Sequence, residues 1–191
     1  MENKTFQENC RQIVAQYSNA VLHRFDGALI SPYGAICIFC SKTLQNHKAV
    51  LQTVADDGAL YEATYNGDKD ELYLDVYEKV GDRYERTINE KYFAEMEPLK
   101  FHELCRSKTA ECSNLHHESD GLTVTADDVY IVWHASITDN YRALTATPLS
   151  DGLYFEVAFN GCTNSLTVDT YKKRENICIE NASEGVTLGF S

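Results

Sequence analysis

The chain has 191 residues, of which 43% are hydrophobic and 11% aromatic, and its formal net charge is −12. This content of aliphatic and aromatic side chains is enough for a packed core and excludes an intrinsically disordered chain. The acidic balance disfavours nucleic acid and membrane surfaces as partners, because both present phosphate groups that the protein would repel. It suits a partner with a basic face.

The N-terminal stretch MENKTFQENC is polar, and no stretch of the sequence approaches the apolar length of a membrane span. We therefore expect a cytoplasmic protein. The chain contains seven cysteines at irregular spacing. An odd number of cysteines without an export signal favours free thiols in a reducing compartment.

The first half of the chain predicts one helix followed by four strands. Apolar residues recur at helical spacing over residues 6–21. Four short runs rich in branched and aromatic residues follow, AICIFCS, KAVLQTV, LYEATYN and ELYLDVY. Turn residues separate the later runs, with Asp57-Gly58 before the third strand and Asn66-Gly67 before the fourth. These elements predict a helix packed on a four-stranded antiparallel meander.

The Asn66-Gly67 turn predicts the register of the last hairpin. If the turn has two residues, Glu62 faces Glu71 and Tyr61 faces Leu72. This register gathers the apolar side chains on one face of the hairpin, which the helix would cover. The opposite face, which carries Glu62, would be exposed to solvent.

The second half of the chain repeats this pattern. Residues 26–79 (repeat 1) align without a gap on residues 120–173 (repeat 2), and with one residue of slippage FQENC matches FHELC upstream. Self-similarity of this kind indicates a tandem duplication. The identical pairs are Asp26/Asp120, Gly27/Gly121, Asn46/Asn140, Ala49/Ala143, Thr53/Thr147, Asp57/Asp151, Gly58/Gly152, Glu62/Glu156, Asn66/Asn160, Gly67/Gly161, Leu72/Leu166, Asp75/Asp169, Tyr77/Tyr171 and Lys79/Lys173.

The predicted fold class is α+β, with two tandem repeats that are each a helix on a four-stranded antiparallel meander. The predicted segments are a first αββββ repeat at 1–80, a partly helical linker at 81–99, a second repeat at 100–175 and a C-terminal extension at 176–191. The strand VYIVWH is apolar on both faces, which predicts that both faces are buried. We therefore expect the two repeats to pack together about a pseudo-two-fold axis.

The segments SKTLQNHKA, YEATYNGDKDELYLDVYEK and VTADDVYIVW carry a family resemblance. They resemble a domain of unknown function found in small proteins of Gram-positive prophages and conjugative elements. The resemblance implies a mobile-element setting in a bacterial host cell, in which small accessory proteins often antagonise host defence. It implies no known activity and no catalytic residues.

The polar residues shared by the repeats are the candidate binding residues. Acids with tyrosines on an exposed sheet face suit recognition of a basic partner. The expected function is a non-enzymatic inhibitor of a host protein that has a basic face. The alternative is a binder of a small anionic ligand, a metabolite or signalling nucleotide, between the repeats. The candidates are Glu62, Asp75, Tyr77, Glu156, Asp169 and Tyr171, with Lys48 and Arg142 as cations for an anion.

We expect no catalytic group, cofactor or metal. Glu62 and Glu71 could act as paired carboxylates, but Ser165 replaces the second acid in repeat 2. Cys37 and Cys40 have C-x-x-C spacing, but residues three apart on a regular strand point to opposite faces. A better zinc candidate is the set Cys105, Cys112, His116 and His117, but its first-repeat counterparts form an apolar core stripe.

Overall fold

The computed structural model describes residues 1–22, 29–54, 58–81, 84–87, 96–118 and 121–189. Two long helices and nine strands are described there, with a π-helical turn after the first helix and two 3-10 turns before strands. They are α1 (Asn3–Tyr17), the π-helical turn (Ser18–Leu22), a 3-10 turn (Pro32–Gly34), β1 (Ala35–Thr43), β2 (Asn46–Thr53), β3 (Ala59–Asn66), β4 (Glu71–Lys79), β5 (Tyr84–Thr87), α2 (Pro98–His116), a 3-10 turn (Ala126–Asp128), β6 (Tyr130–Ile137), β7 (Asn140–Ala146), β8 (Leu153–Asn160) and β9 (Ser165–Glu180).

The strands of both repeats belong to one hydrogen-bonded sheet. Its order is β1-β2-β3-β4-β9-β8-β7-β6, and β5 also pairs with β9. The pairs whose register is defined are all antiparallel. The prediction of two separate helix-plus-four-strand units, related by a pseudo-two-fold axis, is therefore wrong. The prediction requires each repeat to be a closed unit, whereas β9 is twice as long as a meander requires and pairs with strands of both repeats.

The chain divides into two compact units that do not coincide with the repeats. Unit 1 contains Met1–Glu78 and Lys173–Ser191, whereas unit 2 contains Lys79–Lys172. The division falls within β9, so the second half of this strand belongs to unit 1. In unit 2, β5 pairs antiparallel with the first half of β9. The segment that follows each repeat therefore folds with the other repeat.

The predicted, partly helical linker at 81–99 contains β5 and the first two residues of α2, Pro98 and Leu99, in its described part. Residues 82–83 and 88–95 of the linker lie outside the described residues.

Unit 1 has a core between α1 and one face of its strands. The apolar stripe of α1 predicted from the sequence is buried there, with Phe6, Cys10, Ile13 and Tyr17 fully inaccessible to solvent. The strands contribute Ala49, Leu51, Tyr61, Ala63, Tyr65, Leu72, Leu74 and Val76.

The C-terminal segment of the chain completes this core. Ala182 and Val186 are buried within it. Asn9 and Gln12 on α1 donate side-chain hydrogen bonds to the carbonyls of Ala182 and Val186, at 3.1 and 3.2 Å. The segment therefore lies along the polar edge of α1 and covers it.

Unit 2 has an equivalent core under α2. Phe101, Cys105 and Cys112 of the helix pack on the strands. The strand residues of this core are Ala143, Phe155, Val157, Phe159, Leu166 and Val168. The side chains that the repeats share at these positions, such as the alanine at 49 and 143, are fully buried in both.

The β3–β4 hairpin has a different register from the predicted one. Asn66 pairs with Glu71, so the connection has four residues, and Glu62 faces Asp75 instead of Glu71. The predicted apolar face survives, because the shift is an even number of residues and side chains alternate with a period of two. The second hairpin has the same form, with Asn160 paired to Ser165.

Gly67 and Gly161 are required by close packing rather than by a left-handed backbone. A Cβ atom at Gly67 would overlap the backbone carbonyl of Gln45 in the β1–β2 turn, and one at Gly161 would overlap that of Asp139. The positive φ in these hairpins falls instead on Asp70 and Asn164. The glycine of each Asn-Gly pair therefore allows two turns to pack closely against each other.

The shared asparagines hold the same two turns together. The side chain of Asn46 accepts a hydrogen bond from the amide of Gly67 at 3.0 Å, and Asn140 does the same for Gly161 at 3.0 Å. Several identities between the repeats therefore describe one local arrangement that occurs twice.

The Asp-Gly turns agree with the expected backbone. Gly58 and Gly152 have φ values of 71° and 72°, a region that glycine occupies without steric cost. Asp57 lies outside the described residues.

Replacing Gly67 or Gly161 by alanine tests the contact between turns. We expect each change to lower the free energy of unfolding by about 1–3 kcal/mol, because the added methyl group displaces a backbone carbonyl. Gly189→Ala is the control, since its Cβ would have no neighbour within 4 Å. Urea denaturation that finds Gly67→Ala as stable as Gly189→Ala would contradict this packing.

Candidate functional site

The eight candidate residues form two matched clusters, one in each unit. Each cluster has a cation on the second strand of its repeat, a glutamate on the third, and an aspartate and a tyrosine on the fourth. Unit 1 holds Lys48, Glu62, Asp75 and Tyr77, and unit 2 holds Arg142, Glu156, Asp169 and Tyr171.

The two carboxylates of each cluster are direct neighbours. Glu62 lies opposite Asp75 in the β3–β4 pairing, and Glu156 lies opposite Asp169 in the β8–β9 pairing. Like charges that face each other across strands are destabilising unless cations compensate them. Each cluster therefore needs positive charge on both sides of the pair.

The first cation of each cluster comes from the neighbouring strand of the same repeat. Lys48 Nζ lies 2.9 Å from Glu62 Oε1, and an Arg142 guanidinium nitrogen lies 3.0 Å from Glu156 Oε1. Lys48 and Arg142 were predicted as cations for an anionic ligand. Since each faces a carboxylate of its own unit, the structure favours a role in the fold for both.

The second cation comes from the last residue of the other repeat. In unit 1, Lys173 Nζ lies 2.7 Å from Asp75 Oδ1. In unit 2, Lys79 Nζ lies 2.7 Å from Asp169 Oδ1. With Lys173 or Lys79 included, each cluster has four charged side chains in the order cation, glutamate, aspartate, cation, and their formal charges cancel.

The clusters are buried, although the sequence analysis expected an exposed face. Glu62, Glu156, Asp169, Tyr77 and Tyr171 are all buried, and Asp75 is partly buried. The strand neighbours opposite the glutamates, Val50 and Leu144, are fully buried apolar residues on the same face. The alternation along β3 and β4 did not predict this burial, because Val50 and Leu144 lie on the neighbouring strands β2 and β7.

Burial also changes the chemistry of Tyr171. Its hydroxyl donates a hydrogen bond to Glu156 at 3.3 Å. Desolvation raises the pKa of Tyr171, and the nearby charges of Glu156 and Asp169 raise it further. The phenol therefore stays protonated and acts as a hydrogen-bond donor within the fold.

One repeated polar residue escaped the sequence analysis. Asn19 and Asn114 follow the two helical stripes and match only with the one-residue slip. The side chain of Asn19 accepts from the amide of Ile30 at 2.7 Å and donates to its carbonyl at 2.8 Å. Asn114 holds Val124 in the same way, at 2.7 and 2.9 Å. Carrying the slip through the whole upstream region would have revealed the pair.

Cys37 and Cys40 lie on the same face of β1, contrary to the prediction. A β-bulge lies between Cys37 and Phe39, and it reverses the side-chain alternation. Both thiols pack against the core of unit 1. Burial is the main cause that raises the pKa of Cys37 to about 11. The Cys37 thiol is therefore a weak nucleophile at neutral pH.

The other candidate zinc ligands are directed to different partners. Cys105 and Cys112 are buried in the core of unit 2. His116 Nε2 lies 3.3 Å from Thr170 Oγ1, and His117 Nε2 lies 2.8 Å from Asp151 Oδ2. Within the described residues, no group of three or more His, Cys, Asp or Glu side chains is arranged to hold a metal ion.

An exposed apolar patch lies where the repeats differ most. The 3-10 turn before β1 carries the sequence SPYGAI, and repeat 2 has TADDVY at this place. The amide of Val54 donates to the carbonyl of Gly34 at 2.9 Å, so the end of β2 lies beside this turn. We call this the repeat 1 patch; its members are Leu29 (80% exposed), Tyr33 (86%), Ile36 (49%) and Val54 (63%).

The counterpart surface in repeat 2 is more polar. The matching residues are Thr123, Asp127, Tyr130 and Pro148. Thr125 and Asp128 form a reciprocal capping box there, with the Thr125 amide 2.8 Å from Asp128 Oδ2. The fold therefore does not require an apolar surface at this position.

Comparison with known proteins agrees with the duplication. A model described as a family of unknown function (DUF6275) matches residues 7–86 and again residues 102–181. The chain belongs to the DUF6275 family. Two consecutive matches confirm the prediction of a duplicated domain of unknown function. No curated protein and no solved structure matches the chain.

Both DUF6275 segments cross a boundary between the compact units. The first, residues 7–86, includes the first three residues of β5 in unit 2, and the second, residues 102–181, includes the second half of β9 in unit 1. The strand that folds with the other repeat is therefore part of the family's sequence pattern. In the described part of the chain, no helix is long and apolar enough to span a membrane.

Arg142→Met tests the buried pair of unit 2. We expect a loss of about 2–4 kcal/mol in the free energy of unfolding, because Glu156 loses the cation that compensates its buried charge. Lys4→Met is the control, because Lys4 and Glu8 form an exposed pair 3.9 Å apart. That change should cost less than about 0.5 kcal/mol. Equal effects of the two changes in urea denaturation would show that the pair has no special role.

Proposed function

We propose that this DUF6275 protein is a non-enzymatic binding protein whose partner is a protein with a basic face. The observation that carries the proposal is the repeat 1 patch, an exposed apolar surface on an otherwise strongly acidic chain. Exposed aromatic and aliphatic side chains with a polar surround are typical of protein interaction sites.

The patch has the properties of an interface centre. Tyr33 is 86% exposed, and tyrosine is among the residues that contribute most to protein–protein binding. The surface is held in place by the backbone hydrogen bond between Gly34 and Val54 and by the two bonds from Asn19 to Ile30. A preorganised apolar surface loses little conformational entropy on binding.

Charge argues for a basic partner. The formal net charge is −12, and the two buried clusters are each neutral, so the excess of acids lies elsewhere in the chain. An acidic protein attracts a basic partner over a distance and raises its association rate.

The shared polar residues support binding rather than catalysis. Glu62, Asp75, Glu156 and Asp169 are engaged in ion pairs within their own units. Duplication preserved these residues at positions that the fold uses. The sequence resemblance to proteins of prophages and conjugative elements adds the proposed setting, in which the partner is a host protein, such as a defence protein, that this protein inhibits.

A two-stage binding experiment tests the proposal. The immobilised protein is exposed to a lysate of a Gram-positive bacterium at low salt, and retained proteins are identified by mass spectrometry. A retained protein is then purified, and its kinetics are measured by biolayer interferometry. We expect a partner with a basic surface whose association slows steeply between 50 and 500 mM salt, because salt screens charge attraction.

The double variant Tyr33→Ser/Ile36→Ser should weaken this binding by about 30-fold or more, which corresponds to the loss of an interface hot spot. Tyr130→Ser is the matched control, because Tyr130 occupies the position of Ile36 in repeat 2 and has equal exposure, 50% against 49%. It should change the affinity less than about twofold. The proposal is wrong if the double variant binds like the wild type, or if no basic protein is retained.

A further inference from the structure

Three basic side chains meet near the start of α2 in unit 2. His102 and Arg106 are four residues apart on this helix and therefore lie on one face. His134 on β6 approaches the same face, and the ring centroids of His102 and His134 are 4.5 Å apart, with the rings at 77°. This arrangement is separate from the ion-paired clusters and from the repeat 1 patch.

The three groups are all basic, and Arg106 carries a permanent positive charge. Burial lowers the pKa of His102, and the nearby His134 and Arg106 lower it further. His134 faces the neutral Ala143 on β7, and Cys105, the neighbouring thiol on α2, stays neutral because burial raises its pKa. The groups that act electrostatically on His102, His134 and Arg106, are thus both basic and favour its neutral form.

His102 also carries a polar atom without a partner. Its Nε2 atom is buried and makes no hydrogen bond in the described part of the chain. A buried polar atom without a hydrogen bond destabilises the folded protein. Such atoms are rare in folded proteins, so the lack of a partner for His102 Nε2 requires an explanation. A bound acceptor would satisfy it.

Repeat 1 shows that the fold does not require these imidazoles. The residues at the matching positions are Gln7, Arg11 and Cys40. The arginine recurs, whereas both histidines are particular to repeat 2. A property present in only one repeat points to a role beyond folding.

We propose that His102, Arg106 and His134 bind a small oxyanion of the phosphate or sulfate class. Arginine matches the geometry of such an anion with paired N–H donors. Each imidazole supplies a further N–H donor, and the anion compensates the positive charge of Arg106. A divalent metal fits less well, since the site offers two imidazoles and the adjacent guanidinium repels a cation.

Sulfate is the probe of choice, because it stays a dianion between pH 5.5 and 7.5. The signals of the histidine rings are followed by NMR during a sulfate titration, with chloride at matched ionic strength as the reference. We expect saturable shifts of the His102 and His134 signals.

Two variants assign the site. His102→Gln introduces the residue that repeat 1 uses at this position, and His134→Gln changes an exposed side chain, so both proteins should fold. Each should weaken sulfate binding by about tenfold. His117→Gln is the control, because His117 pairs with Asp151 elsewhere in the unit, and it should leave the affinity unchanged.

The inference is overturned if sulfate moves neither ring signal beyond the chloride reference. It is equally overturned if the His102→Gln and His134→Gln proteins bind sulfate as tightly as the wild type. Partner binding through the repeat 1 patch does not involve these residues, so the two proposals fail independently.

Discussion

The structure depends on the need to neutralise two pairs of neighbouring carboxylates. Glu62 faces Asp75 and Glu156 faces Asp169 across adjacent strands, and both glutamates are buried. Removing such charges from water is costly unless cations lie beside them. One cation comes from the adjacent strand of the same repeat, and the other, Lys173 or Lys79, is the last residue of the other repeat. The charge requirement therefore ties the end of each repeat into the unit built on the other.

Local patterns predicted the elements well, because helical stripes, strand alternation and Asp-Gly turns depend on neighbouring residues. The connections that depend on distant residues were missed. The hairpin register follows from the contact of Gly67 with Gln45, and the bulge in β1 follows from pairing with β2. The single sheet follows from the pairing of β9 with strands of both repeats. None of these contacts can be predicted from the sequence of one segment, because each depends on residues in another part of the chain.

The residues of the candidate site could be predicted from the sequence, but their role could not. The residues shared by the repeats do come together, but as internal ion pairs that stabilise each unit. The surfaces with unexplained properties lie where the repeats differ. SPYGAI replaces TADDVY at the repeat 1 patch, and two histidines stand where repeat 1 has Gln7 and Cys40. In this duplicated protein, the residues shared by the repeats stabilise the fold, and both proposed binding surfaces lie where the repeats diverge.

A double-mutant cycle tests the exchange of lysines most directly. The free energy of unfolding is measured for Asp75→Asn, Lys173→Met and the double variant, and the same cycle is made with Lys79→Met in place of Lys173→Met. The account predicts a coupling of about 1 kcal/mol or more between Asp75 and Lys173 and almost none between Asp75 and Lys79. Coupling of Asp75 to Lys79, the lysine of its own repeat, would contradict it.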